Sequence, residues 1–123
     1  MALQPAGVGF SYTDDTALRN SWNDYRASTD NLATIHAFFE RFPERKGNDI
    51  YVASESYGGH YIPQLSLEIL GDTSLRSRFK GLLVGNPFTS YASGSIAMKN
   101  LEWGLQLQPK PLWDEFKGYK STT

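Results

Sequence analysis

Cysteine is absent from all 123 residues, which excludes a disulfide framework and any thiolate-held metal. Taken alone, that absence would suggest a reducing compartment. Histidine is scarce as well: only His36 and His60 occur, and neither has a third ligand at metal-site spacing. No Lys/Arg stripe is present and the formal net charge is −1, so neither a nucleic-acid surface nor an anionic-membrane surface is expected. The longest apolar runs are only a few residues, too short to span a bilayer. The first residues show no basic stretch followed by an apolar one, so no secretory signal is read there. Asn-x-Ser/Thr acceptors, internal repeats, low-complexity tracts and linkers are missing too.

What remains is an ordinary globular composition, 40% hydrophobic with mixed charge. A domain of this length could bury roughly two thirds of its unfolded surface. Its most informative stretch is Ile50-Tyr51-Val52-Ala53-Ser54-Glu55-Ser56-Tyr57-Gly58-Gly59-His60-Tyr61-Ile62-Pro63. Ile50 to Ala53 is apolar without alternation and predicts a buried strand. Small residues at 54, 58 and 59 flank Ser56, and helical spacing follows. This is the pattern of a nucleophile elbow, in which a strand turns sharply into a helix and leaves a hydroxyl at the tip. The turn is tight, so large side chains at 54 and 58 would collide. A Gly/Ser-rich turn without chemistry would read the same way from these residues alone.

Around that stretch, Gln4 to Ser11 reads as a Gly-rich loop. Its Gly7-x-Gly9 is a poor nucleotide fingerprint, because Tyr12 stands where a third glycine belongs and no helix opens there. From about Asn23 to Arg41 an amphipathic helix is predicted, with Tyr25, Leu32, Ile35, Phe39 and Phe42 on its apolar face. Asn23 serves as its N-cap and Pro43 marks its end. A second helix is expected from about Tyr57 to Leu70, broken or kinked at Pro63. Phe79 to Val84 reads as another buried strand. Strand, helix and strand at this spacing form a right-handed parallel βαβ unit. Both strands read as covered on both faces, so they need further neighbours. After Asn86-Pro87 the pattern weakens to a helical stretch from Ile96 to Leu107.

Ser54-Glu55-Ser56-Tyr57-Gly58-Gly59-His60-Tyr61-Ile62-Pro63 resembles the signature of the serine carboxypeptidases, an α/β-hydrolase family whose motif is usually written Gly-Glu-Ser-Tyr-Ala-Gly. Ser54 and Gly58 depart from it conservatively in size. Three further blocks match in order: Gln4-Pro5-Ala6-Gly7-Val8-Gly9-Phe10-Ser11-Tyr12, Phe38-Phe39-Glu40-Arg41-Phe42-Pro43 and Gly81-Leu82-Leu83-Val84-Gly85-Asn86-Pro87. Leu3 stands where the family has an aspartate. The likeness covers most of residues 4 to 90. It implies an α/β fold: a partial α/β-hydrolase core with a parallel βαβ unit and an incomplete sheet at residues 1–87, then the start of a mostly helical insertion at 88–123. The chain is accordingly expected to be a fragment of a longer enzyme.

Within that resemblance Ser56 is the nucleophile, and the backbone N–H of Tyr57 is one oxyanion-hole donor. A serine hydroxyl needs a base within hydrogen-bond reach, itself held by a third group. His36 precedes the serine and reads as a helix-face residue. His60 sits on the elbow helix, pointing away from where a base must approach. The family's own Asp and His lie further along than this sequence reaches. Glu55 would pair with another acidic group and bind a peptide's C-terminal carboxylate at low pH, since like charges held together raise one pKa. A solvated glutamate at a strand end is the plainer reading. Gly58 and Tyr12 are the remaining substrate-binding candidates; Phe10, Tyr12 and Tyr57 either line a side-chain pocket or pack their loops.

The resemblance therefore implies a serine-type carboxypeptidase acting on peptide or protein C-termini, with no cofactor. Location by resemblance is secreted, vacuolar or lysosomal. An acyltransferase on the same scaffold and a non-catalytic truncated relative are the alternatives. Open sheet edges would favour self-association.

Overall fold

A computed structural model of the chain describes residues 6–19 and 21–120. Gln4 and Pro5, which open the first matched block, and Leu3 before them lie outside the described residues. The chain divides into two compact units, Met1–Phe88 and Thr89–Thr123.

In the first unit the elements are α1 (Thr16–Arg19), α2 (Asp24–Arg41), a 3-10 turn (Pro43–Arg45), β1 (Ile50–Glu55), α3 (Gly58–Gly71) and β2 (Phe79–Gly85). Helix α2 starts as its sequence demands. The Asn23 side chain accepts a hydrogen bond from the Arg26 N–H at 2.9 Å, satisfying one of the helix's orphan donors. Phe42 caps its other end, and Pro43 opens the 3-10 turn.

β1 and β2 pair in parallel, with Val52 opposite Leu82, Ser54 opposite Val84 and Glu55 opposite Gly85; one irregularity falls between Ile50 and Tyr51. The crossover is α3, which packs along both strands, while α2 packs against α3. Phe39, Ile50, Leu65, Ile69 and Leu75 form the buried core, with Leu32, Ile35, Val52 and Phe79 packed against it. The Arg78 guanidinium lies 4.3 Å from the Phe39 ring centroid and donates to the Lys46 carbonyl, closing one end of that core.

Three expectations need correcting. The strands are not covered on both faces among the described residues. Successive side chains point to opposite faces of a pleated strand, and only the side bearing Ile50 and Val52 joins the core; Tyr51, Ala53 and Leu83 on the other side are exposed. Second, α3 runs without a break through Pro63. The proline removes one i to i−4 bond near the helix start, and packing against the sheet holds the rest. Third, Tyr25 and Phe42 are exposed, not core. The core row of α2 runs through Leu32, Ile35 and Phe39; Tyr25 shares their face but sits two turns before Leu32, past the end of that cluster, and Phe42 is the C-cap, outside the helix.

The second unit consists of α4 (Tyr91–Gly104) and α5 (Lys110–Lys120). The Ser90 hydroxyl caps α4 by accepting from the Ser93 N–H. The sequence pattern placed this helix five residues late, because Ala92 to Ser95 carries no apolar repeat. Helix α5 falls in the stretch expected to be mostly helical, although no separate helix is read there from the sequence pattern. Trp103 and Trp113 stack with ring centroids 5.4 Å apart and planes nearly parallel, and Phe116 packs on Trp113. Glu102 takes hydrogen bonds from Lys99 and Gln108; the Lys99 ammonium foremost, with Gln108 assisting, holds its carboxyl below the usual range.

Candidate active site

Between β1 and α3 the chain reverses in two residues. Ser56 has φ +53°, a left-handed conformation that side-chain-bearing residues seldom adopt and that is held only when its surroundings over-determine it. They do so here. The Ser56 N–H donates to the Gly85 carbonyl at 3.0 Å, while its own carbonyl accepts from Gly59 N–H at 3.0 Å and Phe88 N–H at 2.7 Å. The strand ladder thus fixes one side of the residue and the loop after β2 fixes the other. The serine side chain is exposed. Tyr57 then enters the right-handed region (φ −62°, ψ −9°) as the N-cap of α3, so the first N–H groups of the helix gather at the bend.

Two glycines make the bend sterically possible. A Cβ on Gly58 would lie 2.5 Å from the Ser54 Cβ, and one on Gly59 would lie 2.5 Å from the Phe88 carbonyl oxygen. Both glycines are buried.

The model match decides whose elbow this is. The serine carboxypeptidase family model matches residues 3–123. The chain belongs to the serine carboxypeptidase family. Among its relatives, Serine carboxypeptidase-like 40 of Arabidopsis thaliana is 48% identical over 82 residues, covering 67% of this chain and 16% of the relative. Serine carboxypeptidase 24 of the same plant is 40% identical over 103 residues, covering 80% and 22%. Serine carboxypeptidase-like 26 of Oryza sativa subsp. japonica is 32% identical over 119 residues, covering 92% and 24%. The chain therefore spans less than a quarter of the length of these relatives. As the family's α/β-hydrolase fold requires, the described core is helices on a parallel sheet.

The structure gathers some of the expected site residues and leaves others apart. Ser56, Tyr57 and Gly58 are consecutive through the bend, and Glu55 closes β1 beside them, exposed. Tyr12 is 79% exposed and Phe10 95%, so both stand in solvent. The turn that carries them is closed by Gly7 N–H donating to the Ser11 carbonyl at 2.9 Å, with Gly7 and Gly9 both at positive φ. A groove of about 710 Å³ between α2, α3 and β1 is lined in part by Val52, Ser54, Glu55 and Tyr61, and Ser56 is not among its lining residues.

The two histidines have structural surroundings. His36 Nε2 lies 2.6 Å from Asp72 Oδ2, tying α2 to the end of α3. The Ser74 hydroxyl and N–H, with His36 assisting, bring the Asp72 carboxyl down from 3.8 to about 2. His60 stacks on the Tyr57 ring, with centroids 4.7 Å apart, and its Nδ1 lies 3.8 Å from Asp24 Oδ2. Asp24 is the residue that sequence reasoning overlooked. Its carboxylate accepts from the Tyr57 hydroxyl at 3.3 and 3.4 Å. An acidic residue in the first turn of a helix reads as a complement to the helix dipole, and nothing local reports a partner 33 positions away. Among the described residues no cluster of three or more metal-ligating side chains occurs, and no helix is long and apolar enough to cross a membrane.

Proposed function

We propose that this chain carries the nucleophile half of a serine-type carboxypeptidase site. The observation that supports the reading most directly is the left-handed, three-point-clamped backbone of Ser56 between a strand and a helix. A hydroxyl held at such a tip is exposed to an acyl group while its backbone cannot retreat. In this reading Ser56 Oγ attacks the carbonyl of the last peptide bond, and its proton passes to a histidine base supplied from outside these 123 residues. The amine leaves with that proton, and water then attacks the acyl-enzyme and frees Ser56. The Tyr57 N–H donates to the oxyanion.

Glu55, beside the nucleophile, receives the substrate's terminal carboxylate together with a second acidic group, which favours action at acidic pH. Gly58 contributes by its smallness, leaving the bend room to form. Tyr12 flanks the substrate on the loop before α1. The substrates are C-termini of peptides or proteins, no cofactor is needed, and a secreted, vacuolar or lysosomal setting follows from the family.

The test places this chain in the matching stretch of one of the Arabidopsis relatives. The chimera should hydrolyse a blocked dipeptide and take up a fluorophosphonate, and Ser56→Ala should abolish both, with turnover falling by ~10⁴-fold or more. A folded chimera that keeps either activity after Ser56→Ala sinks the proposal. Acyl transfer from an activated ester to an alcohol, in preference to hydrolysis, would instead identify an acyltransferase.

A further inference from the structure

We propose that Asp24 is a positioning residue for the oxyanion donor, acting through the side chain of Tyr57. The proposal rests on the reading above that the Ser56–Tyr57 peptide supplies that donor. Asp24 occupies the first turn of α2, where the Asn23 cap fixes the backbone. Its two carboxylate oxygens receive the Tyr57 hydroxyl at 3.3 and 3.4 Å. At these distances one O–H is shared between the two oxygens of a charged acceptor, which tethers the far end of the tyrosine to a different helix from its Cα.

The ring between those two anchor points is also held. His60 stacks on it at 4.7 Å with planes 26° apart, and Phe88 at 6.2 Å with planes 17° apart. Tyr61 meets its edge at 4.9 Å. Phe88 is the residue whose N–H grips the Ser56 carbonyl at 2.7 Å, and whose own carbonyl leaves no room for a side chain at Gly59. Asp24, the Tyr57 ring, Phe88 and the Ser56 carbonyl therefore form one continuous path from α2 to the bend. Releasing the tyrosine hydroxyl frees the ring to rotate, loosens Phe88 and lets the Ser56–Tyr57 peptide tilt. An oxyanion donor acts only when it is held in place before the charge develops.

A plain helix tie would weaken the whole unit, whereas positioning acts at the bend. Amide hydrogen exchange of this 123-residue chain separates the two. Asp24→Ala and Tyr57→Phe should each speed exchange of the amides of residues 56–59 roughly tenfold, the effect of losing one charge-assisted hydrogen bond. The β1 amides should change by less than about twofold. Asp24→Asn keeps an acceptor oxygen but not its charge and should fall between the native chain and Asp24→Ala, and the double variant Asp24→Ala/Tyr57→Phe should add nothing to either single one. A uniform rise in every amide, no rise at 56–59, or additive effects would overturn the proposal. In the chimera, Asp24→Ala should lower kcat about tenfold with KM unchanged, and Asp24→Asn should recover part of that loss. A parent chimera that never labels at Ser56 counts against the nucleophile reading alone, since the exchange result does not depend on it.

Discussion

Ser54 and Gly58 share a space that holds one Cβ substituent, since a Cβ on residue 58 would come within 2.5 Å of the one on residue 54. The family motif fills the same space from the other side, with glycine first and alanine second, so this chain has exchanged which residue brings the bulk. Gly58→Ala should therefore destabilise the first unit by about 1–3 kcal/mol, the usual consequence of overpacking. Adding Ser54→Gly should recover most of that loss. Chemical denaturation of both variants measures it, and equal stability of Gly58→Ala and the native chain would contradict the packing argument. At this scale the bend at Ser56 was legible because tight bends require small neighbours, and those neighbours are written in the sequence at 54, 58 and 59. Asp24 was illegible because its meaning lies in a hydroxyl on another helix.

Elements were read best where a boundary residue does chemical work. Asn23 and Pro43 bracket α2, and the structure places the helix within one or two residues of them. Where the apolar repeat lapses, as at the start of α4, the cap at Ser90 was the only signal and a single serine is weak evidence. Helix α5 had a cue in Pro111 near its start and the Trp113/Phe116 pair three apart. The tie between elements is titratable. Asp72, at the end of α3, binds a proton less readily when folded than unfolded, so its bonds to Ser74 and His36 stabilise the fold above about pH 4. That contribution should fade as pH falls from about 4 toward 2. Urea midpoints of the native chain should drop across that window, and Asp72→Asn should flatten the drop. An unchanged slope in the variant would exclude Asp72 as the source.

At the scale of the molecule, the parallel sheet of the described residues has two strands, and Tyr51, Leu82 and Leu83 are 63%, 45% and 58% exposed. A sheet that small is marginal without neighbours, and its open edges can pair with other chains. We expect the 123-residue polypeptide to associate with itself as its concentration rises, and Tyr51→Lys to shift it toward monomer on size-exclusion chromatography. Concentration-independent elution of the native chain would count against this. The resemblance implied an incomplete sheet, as the two described strands form, but periodicity carries no information on which segments supply the cover, so the face that stays open could not be read from it.

The left-handed backbone at Ser56 has a cost that shows only when the hydroxyl is dispensed with. Glycine visits that region freely, so Ser56→Gly should make the polypeptide more resistant to heat, by about 1 kcal/mol at the midpoint, even as it removes the hydroxyl that the proposed acyl chemistry needs. If melting curves show the glycine variant outlasting the native chain, then durability and the presence of a side chain at the tip compete for a single torsion angle.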